Sequence, residues 1–211
     1  MMATPVASGT RKFELVVGDK DITVMPAICD FTGMNIVTRQ IISNACAACV
    51  GMVKSAGQAL KKGDKPVVAV TLMGVTNNGA IAAVEELEKA GLEVIGFHAT
   101  GVGGATMETM ASNGLVDGIL DLTLHELTSE YFGGGFSYGE AANTRLVKSV
   151  DKKVPLVISL GGLDFVDFGT NELPGRMDER KYMLHNATTA HIKILPEEGK
   201  ALGKILADRL S

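Results

Sequence analysis

Five short apolar runs alternate with stretches of helical periodicity along the second part of the chain. The runs begin near Val67, Val94, Val116, Leu156 and Ile192, and each is an almost continuous series of hydrophobic residues. Such runs are typical of parallel strands buried on both faces, and the residues between them follow the spacing of amphipathic helices. The pattern predicts a doubly wound, mostly parallel, Rossmann-like α/β sheet of about five strands.

The first 65 residues follow a different pattern. One or two short strands precede a long helical stretch, rich in small residues, that begins near Asn35. The segment KKGDK, residues 61–65, interrupts the helical pattern before the alternation starts. We therefore divide the chain into an N-terminal extension of short strands and a long helix, residues 1–65, and a Rossmann-like α/β domain, residues 66–211.

The overall composition narrows the class of partner. The chain has 211 residues, of which 46% are hydrophobic and 21% are charged, and its formal net charge is −4. A mildly acidic chain with scattered Lys and Arg lacks the basic surface that nucleic-acid binding requires. No apolar run reaches the roughly 18 to 20 residues of a spanning helix, and the N terminus has no apolar core of signal-peptide type. These features predict a cytoplasmic protein that binds neither nucleic acid nor membrane.

Three cysteines raise the question of redox or metal chemistry. Cys29, Cys46 and Cys49 are an odd number, which suits reduced thiols. Cys46 and Cys49 form a C-x-x-C inside the long helical stretch, not at its start, where a helix N terminus would stabilise a thiolate. The position favours close helix packing over redox chemistry. The histidines have no H-E-x-x-H or other close ligand spacing, so no metal site is predicted.

Glycine and polar residues collect where the predicted strands end. Ligands of open parallel sheets bind outside the carboxyl ends of the strands, so these loops are the expected site. The predicted ligand-binding residues, from the strand-end loops and the segment before the last strand, are Thr76, Asn77, Asn78, Thr100, Gly101, Gly103, Gly104, Thr123, Gly161, Gly162, Asp164 and Asn186.

The segment HATGVGG, residues 98–104, carries the most specific of these predictions. Its three glycines let the backbone approach a ligand closely, and the helix that follows offers free N–H groups at its positive end. A phosphate or carboxylate is therefore the expected ligand. The alternative is that the glycines only make a tight turn between strand and helix.

Three residues are candidates for acid–base catalysis: His98 and Asp121 at the ends of predicted strands, and His185 just before the last one. A structural role is the alternative for a lone histidine, and helix capping is the alternative for Asp121 and Asp164. Further candidate carboxylates are Glu126, Asp164 and Asp167. No G-x-S-x-G elbow or P-loop occurs, so the usual hydrolase and kinase templates gain no support.

Three stretches carry a resemblance that extends over nearly the whole chain. They are FHATGVGG at 97–104, LDLTLHEL at 120–127 and LDFVDFG at 163–169. With them, the sequence resembles the C-terminal half of the family named for the tomato mosaic virus resistance (Tm) protein. The resemblance implies two α/β halves in full-length relatives, of which the N-terminal half binds ATP. That half is expected to be absent here, so ATP would reach this chain only through a partner.

Two hypotheses for function follow. In the first, the chain is a subunit that binds a small anionic metabolite at the strand ends and is catalytic together with a partner. In the second, it is a non-catalytic ligand-binding or assembly module for a separate ATP-binding half. Both predict a homo-oligomer or a complex with a separate N-terminal-half subunit. A chain that corresponds to half of a two-domain protein exposes the surface that the other half covers in the full-length relatives.

Overall fold

The computed structural model describes residues 2–4, 17, 20–27, 29–56, 63–133 and 145–211. The chain divides into two compact units, Met1–Lys62 and Gly63–Ser211. The strands of the described residues are β1 (Met2–Thr4), β2 (Val24–Pro26), β3 (Val67–Leu72), β4 (Glu93–His98), β5 (Gly118–Thr123), β6 (Leu156–Gly161), β7 (Phe165–Gly169), β8 (Tyr182–Leu184) and β9 (Thr189–Lys193). The α-helices are α1 (Ile36–Ser55), α2 (Asn77–Lys89), α3 (Val102–Ser112), α4 (His125–Tyr131), α5 (Lys148–Asp151) and α6 (Pro196–Leu210).

The first unit contains a pair of short strands and the long helix that the sequence predicts. Strands β1 and β2 pair in parallel, with Met2 opposite Val24. Helix α1 begins after Asn35, whose side chain accepts hydrogen bonds from the N–H groups of Val37 and Thr38. The Thr38 hydroxyl accepts from the Asn35 N–H in return at 2.8 Å. This reciprocal capping box explains why the helix starts at the predicted place.

Helix α1 buries little of its surface against the described residues of the chain. Thr38 and Ile41 are its buried residues, whereas Ile36 is 79% exposed and Val53 is 69% exposed. Helix α1 therefore presents large apolar side chains to solvent.

The same helix contains the C-x-x-C motif. Cys46 and Cys49 are exposed free thiols, so the close packing expected for them is not made by the described residues. By length and composition alone, α1 is also the one helix of the described residues that could cross a bilayer. That is weak evidence for a membrane span, because helices of soluble proteins meet the same two criteria.

The second unit contains the predicted parallel sheet. Its four strands lie in the order β4-β3-β5-β6, and each neighbouring pair is parallel. Helices α2 and α3 pack on β3 and β4. The α/β class and the parallel arrangement of the first four predicted strands are therefore confirmed. The sequence also predicts a helix over 140–150, of which residues 140–144 lie outside the described part of the chain.

The prediction for the fifth strand, the run that begins near Ile192, is wrong about both its sheet and its direction. Strand β9 is antiparallel to both β7 and β8 in a separate sheet of order β7-β9-β8. Strand β7 lies within a segment expected to be a loop. Only residues 162–164 connect β6 to β7, and a parallel neighbour would need a crossover of a dozen residues or more. The chain instead turns at Gly162, which has a φ of +75°, and starts a second sheet.

Three apolar clusters hold this unit together. The first lies between the parallel sheet and α3, and it includes Phe97, Met107 and Ile119. The second joins α4 to α6 through Leu127 and Leu202. The third lies on the antiparallel sheet; its buried residues are Val166, Ala190 and Ile192. The two sheets thus have separate cores, and the carboxyl end of β6 lies where the chain passes from one to the other.

Candidate functional site

A network of hydroxyl groups crosses the carboxyl end of the parallel sheet. The Thr71 hydroxyl donates to Asp121 Oδ1 at 2.6 Å and accepts from the Thr123 N–H at 3.0 Å. The Thr123 and Thr76 hydroxyls are 2.7 Å apart. These bonds join β3 to β5 and bring three of the predicted site residues together.

A buried arginine completes the environment of Asp121. The guanidinium of Arg145 bonds to Asp121 and to Glu126, and all three side chains are fully buried. Burial alone would lower the pKa of Arg145, but the two carboxylates more than offset it, so this pKa lies above the usual arginine value. Burial raises the pKa of Glu126, and Arg145 offsets only part of that increase. Asp121 is therefore the partner of a structural cation, and it is closed off from solvent.

The glycine loop holds an anion that belongs to the chain itself. Glu126 Oε1 accepts hydrogen bonds from the N–H groups of Gly101, at 2.5 Å, and Gly104, at 3.2 Å. A Cβ atom on Gly104 would overlap the Glu126 carboxylate, and a Cβ on Gly103 would overlap the His98 carbonyl. The anion expected at these N–H groups is thus the Glu126 carboxylate, which occupies the N–H groups of Gly101 and Gly104.

A cavity of about 500 Å³ lies between the ends of the two sheets. Its lining combines apolar, aromatic, cationic and glycine residues from the β3 and β6 ends and from β8 and β9. These residues are Val75, Thr76, Gly161, Gly162, Asp164, Phe165, Lys181, Tyr182, Met183, His191 and Lys193. Four of the predicted ligand-binding residues, Thr76, Gly161, Gly162 and Asp164, therefore share one pocket.

Histidines and one buried carboxylate form a connected group at the wall of this pocket. Asp167 bonds to His191 Nδ1 through one carboxylate oxygen, and its other oxygen is 3.5 Å from His125 Nε2. Burial alone would raise the pKa of Asp167, but the hydrogen bonds and charges of His125 and His191 outweigh it, so this pKa lies below the usual value. His191 Nε2 is 3.1 Å from Nδ1 of His185. His185 thus lies next to the pocket.

The remaining predicted residues lie outside the pocket. His98 is exposed at the end of the sheet-edge strand β4, and the Thr100 N–H donates to the His98 carbonyl. Asn77 and Asn78 are exposed in the first turn of α2. Asn186 shapes a turn, since its side chain accepts from the N–H and the hydroxyl of Thr188. Among the described residues, no group of three His, Cys, Asp or Glu side chains is placed to hold a metal ion.

The sequence reasoning missed the residues that the second sheet contributes. Lys181, His191 and Lys193 were not candidates, because β8 was not predicted and β9 was placed in the wrong sheet. Arg145, which lies before α5 and not on a strand, was missed as well. One signal was available: in the segment HIK, His191 and Lys193 are two residues apart, so they lie on the same face of a strand.

Comparisons with known proteins agree with the resemblance. Residues 65–211 match the family described as "Uncharacterised protein family (UPF0261) C-terminal domain", and residues 1–58 match the N-terminal domain of the same family. The resemblance predicts that the N-terminal half is absent from this chain. The match corrects that expectation, since it assigns residues 1–58 to the N-terminal domain.

Named relatives occur in bacteria and in a plant. A "UPF0261 protein" of Clostridium tetani is 39% identical over 213 residues, which cover 100% of this chain and 51% of the relative. One from Rhizobium meliloti is 35% identical over 192 residues, covering 90% of the chain and 47% of the relative. The "ToMV resistance protein Tm-1" of Solanum lycopersicum is 34% identical over 216 residues, covering 100% and 28%. The chain spans about half the length of these bacterial relatives. It belongs to the UPF0261 family, and the tomato Tm-1 protein is among its relatives.

Proposed function

We propose that the Gly63–Ser211 unit binds a small anionic ligand, bearing a phosphate or a carboxylate, in the pocket between the two sheets. The observation that carries the proposal is the lining of that pocket. Two lysines, Lys181 and Lys193, and His191 are among the lining residues, whereas Asp164 is the one carboxylate among them. A pocket with this balance attracts an anion.

The remaining lining residues restrict the chemical character of the rest of the ligand. Val75, Phe165, Tyr182 and Met183 present apolar and aromatic surface, and Gly161 and Gly162 leave room for close approach. A Cβ atom on Gly161 would overlap the Leu122 carbonyl, so the sheet end tolerates no side chain there. The expected ligand therefore has an anionic group at one end and an apolar or planar body at the other.

The ion pair between Lys193 and Asp164 gives a ligand anion a cation with an exchangeable partner. The Lys193 ammonium pairs with the Asp164 carboxylate, and both side chains are more than half exposed. Exposed pairs contribute little to stability, so a ligand anion can replace Asp164 as the partner of Lys193 at small cost. The pocket then needs no rearrangement of buried groups to accept the ligand.

A thermal-shift screen with small carboxylates and phosphate monoesters tests this proposal. A ligand at about 100 times its dissociation constant stabilises the folded state by about 2.7 kcal/mol, which raises the melting temperature by several degrees. We expect Lys193→Gln or Lys181→Gln to abolish the shift, and Lys200→Gln, on exposed α6 surface, to keep it. A screen without any shift, or a shift that survives in both pocket variants, would contradict the proposal.

A second role, in assembly, is supported by helix α1. Its exposed apolar residues lie in the segment that matches the N-terminal domain of the family. We propose that a second copy of the chain, or a separate subunit carrying the N-terminal half, covers this face, and that ATP takes part only through such a partner. Multi-angle light scattering that gave a monomer at micromolar concentration, with no binding to an N-terminal-half subunit, would contradict this role. A cytoplasmic location stays a prediction.

A further inference from the structure

Asp167, His191 and His185 form a continuous line of side chains from the interior to the surface. Asp167 on β7 faces His191 on β9 directly across the antiparallel pair. His191 lines the pocket and bonds to Asp167 through Nδ1, while its Nε2 is 3.1 Å from Nδ1 of His185. His185 follows β8 and is exposed, whereas Asp167 is buried. The line therefore connects a buried charge to solvent beside the pocket.

The hydrogen bonds of this line have one allowed direction when both imidazoles are uncharged. An ionised Asp167 only accepts, so His191 Nδ1 carries the hydrogen that it donates. His191 Nε2 is then a lone pair, and His185 Nδ1 must be the donor of the next bond. His185 Nε2 is left with an unshared lone pair, facing away from the line.

His125 keeps Asp167 in its ionised form from the other side. His125 Nδ1 is 2.9 Å from the Gly162 carbonyl oxygen, and its Nε2 faces the second oxygen of Asp167. Both ring nitrogens thus face oxygen atoms. His125 is fully buried and stacks on Phe165 with ring centroids 4.4 Å apart, so its position is fixed. The Asp167 carboxylate thus has an imidazole on each side.

We propose that His185 Nε2 is a general base for the ligand of the adjoining pocket, with His191 and Asp167 as its positioning residues. This rests on the proposed binding function. The substrate class is a small carboxylate or phosphate ester with an acidic C–H bond. The His185 lone pair forms the new N–H bond, and the electron pair of the broken C–H bond stays on the substrate. Lys181 and Lys193 balance the added negative charge, and return of the proton yields an isomer, so no co-reactant is needed.

Nuclear magnetic resonance of the histidine side chains tests the line without any ligand. Long-range proton–nitrogen spectra of the full chain distinguish the two tautomers of each neutral ring. We expect Nδ1–H forms for both His191 and His185. In Asp167→Asn the amide can donate to His191 Nδ1, so we expect His191 to change to the Nε2–H form, as an Asp→Asn change does in a hydrolase triad. An Nε2–H form of His185 in the wild type, or unchanged tautomers in Asp167→Asn, would overturn the proposal.

Phenylpyruvate tests the catalytic part, because it combines a carboxylate, an acidic methylene and an apolar ring. The rate at which its methylene protons exchange with D₂O is measured with and without the protein. Removal of a general base lowers a rate by about 100-fold or more, so His185→Gln should lose the acceleration yet still bind phenylpyruvate. His98→Gln, outside the pocket, should keep the wild-type rate. Binding without acceleration by the wild type would overturn the role of His185, whereas failure to bind would count against the binding proposal instead.

Discussion

Replacement of Glu126 by glutamine removes one charge from the buried Arg145 network and leaves its shape intact. In the native protein Arg145 has two carboxylate partners, both without solvent contact. Removing one partner of a buried pair costs about 3 to 5 kcal/mol. Glu126→Gln belongs at the lower end of that range, because Asp121 still pairs with Arg145. The loss is still large, since the one amide oxygen can accept from Gly101 and Gly104 or from Arg145, but not from both. We expect a loss of about 3 kcal/mol, or a melting temperature about 6 to 12 °C lower.

Urea unfolding followed by circular dichroism at pH 7 measures this loss. The matched control is Glu86→Gln, which breaks the exposed pair between Glu86 and Lys89 on α2 and should change the unfolding free energy little. If Glu126→Gln were as stable as Glu86→Gln, the Arg145 network would not be a source of stability. The interpretation of the glycine loop as a cradle filled by Glu126 would then fail with it.

Three further predictions concern the turn, the buried carboxylate and the exposed helix. Gly103→Ala should lower the unfolding free energy by about 1 to 3 kcal/mol in thermal or urea unfolding, because the new Cβ overlaps the His98 carbonyl; a wild-type value would contradict the close approach. The lowered pKa of Asp167 contributes stability that is present above about pH 4 and is lost as the pH falls through the folded-state value. Asp167→Asn should therefore show a flatter decline of melting temperature with acidification, and an unchanged decline would refute the assignment. Ile36→Asp places a charge on the exposed apolar face of α1, in its first turn where an acid does not weaken the helix, so light scattering should report a smaller assembly; an unchanged mass would exclude this face from the interface.

The fold class follows from the hydrophobic pattern, but the second sheet does not. An apolar run predicts a strand but contains no information about its direction or its neighbour. It does not even fix the burial of both faces, because Val157 and Leu160 of β6 are 64% and 66% exposed. Strand β9 has an apolar run, yet it pairs with β7 in antiparallel direction. The hydrophobic pattern does not predict β7, because Asp167 and Gly169 interrupt the apolar residues of that strand. The connection of three residues between β6 and β7 is the feature that decides the topology, and it becomes visible only when both strand ends are known.

The candidate site, like the fold, could be predicted from the sequence only in part. The rule that ligands bind at strand ends led to Thr76, Gly161 and Gly162, which do line the pocket. The same rule led to the glycine loop, whose N–H groups are occupied by Glu126. That residue lies 25 positions from Gly101, and a pairing over such a separation leaves no local signature in one sequence. The chemistry expected at the loop, an anion on backbone N–H groups, is present, but the anion is part of the protein.

Chemical-shift mapping tests the central claim, that the chain binds an anion in the pocket between the sheets. The amide spectrum of the full chain is recorded while a small carboxylate or phosphate ester from the thermal screen is added. The account predicts shifts at Thr76, Gly162, Lys181 and Lys193, and none at the Gly101–Gly104 loop, which Glu126 already fills. Shifts confined to that loop, or no shifts at the pocket, would contradict it.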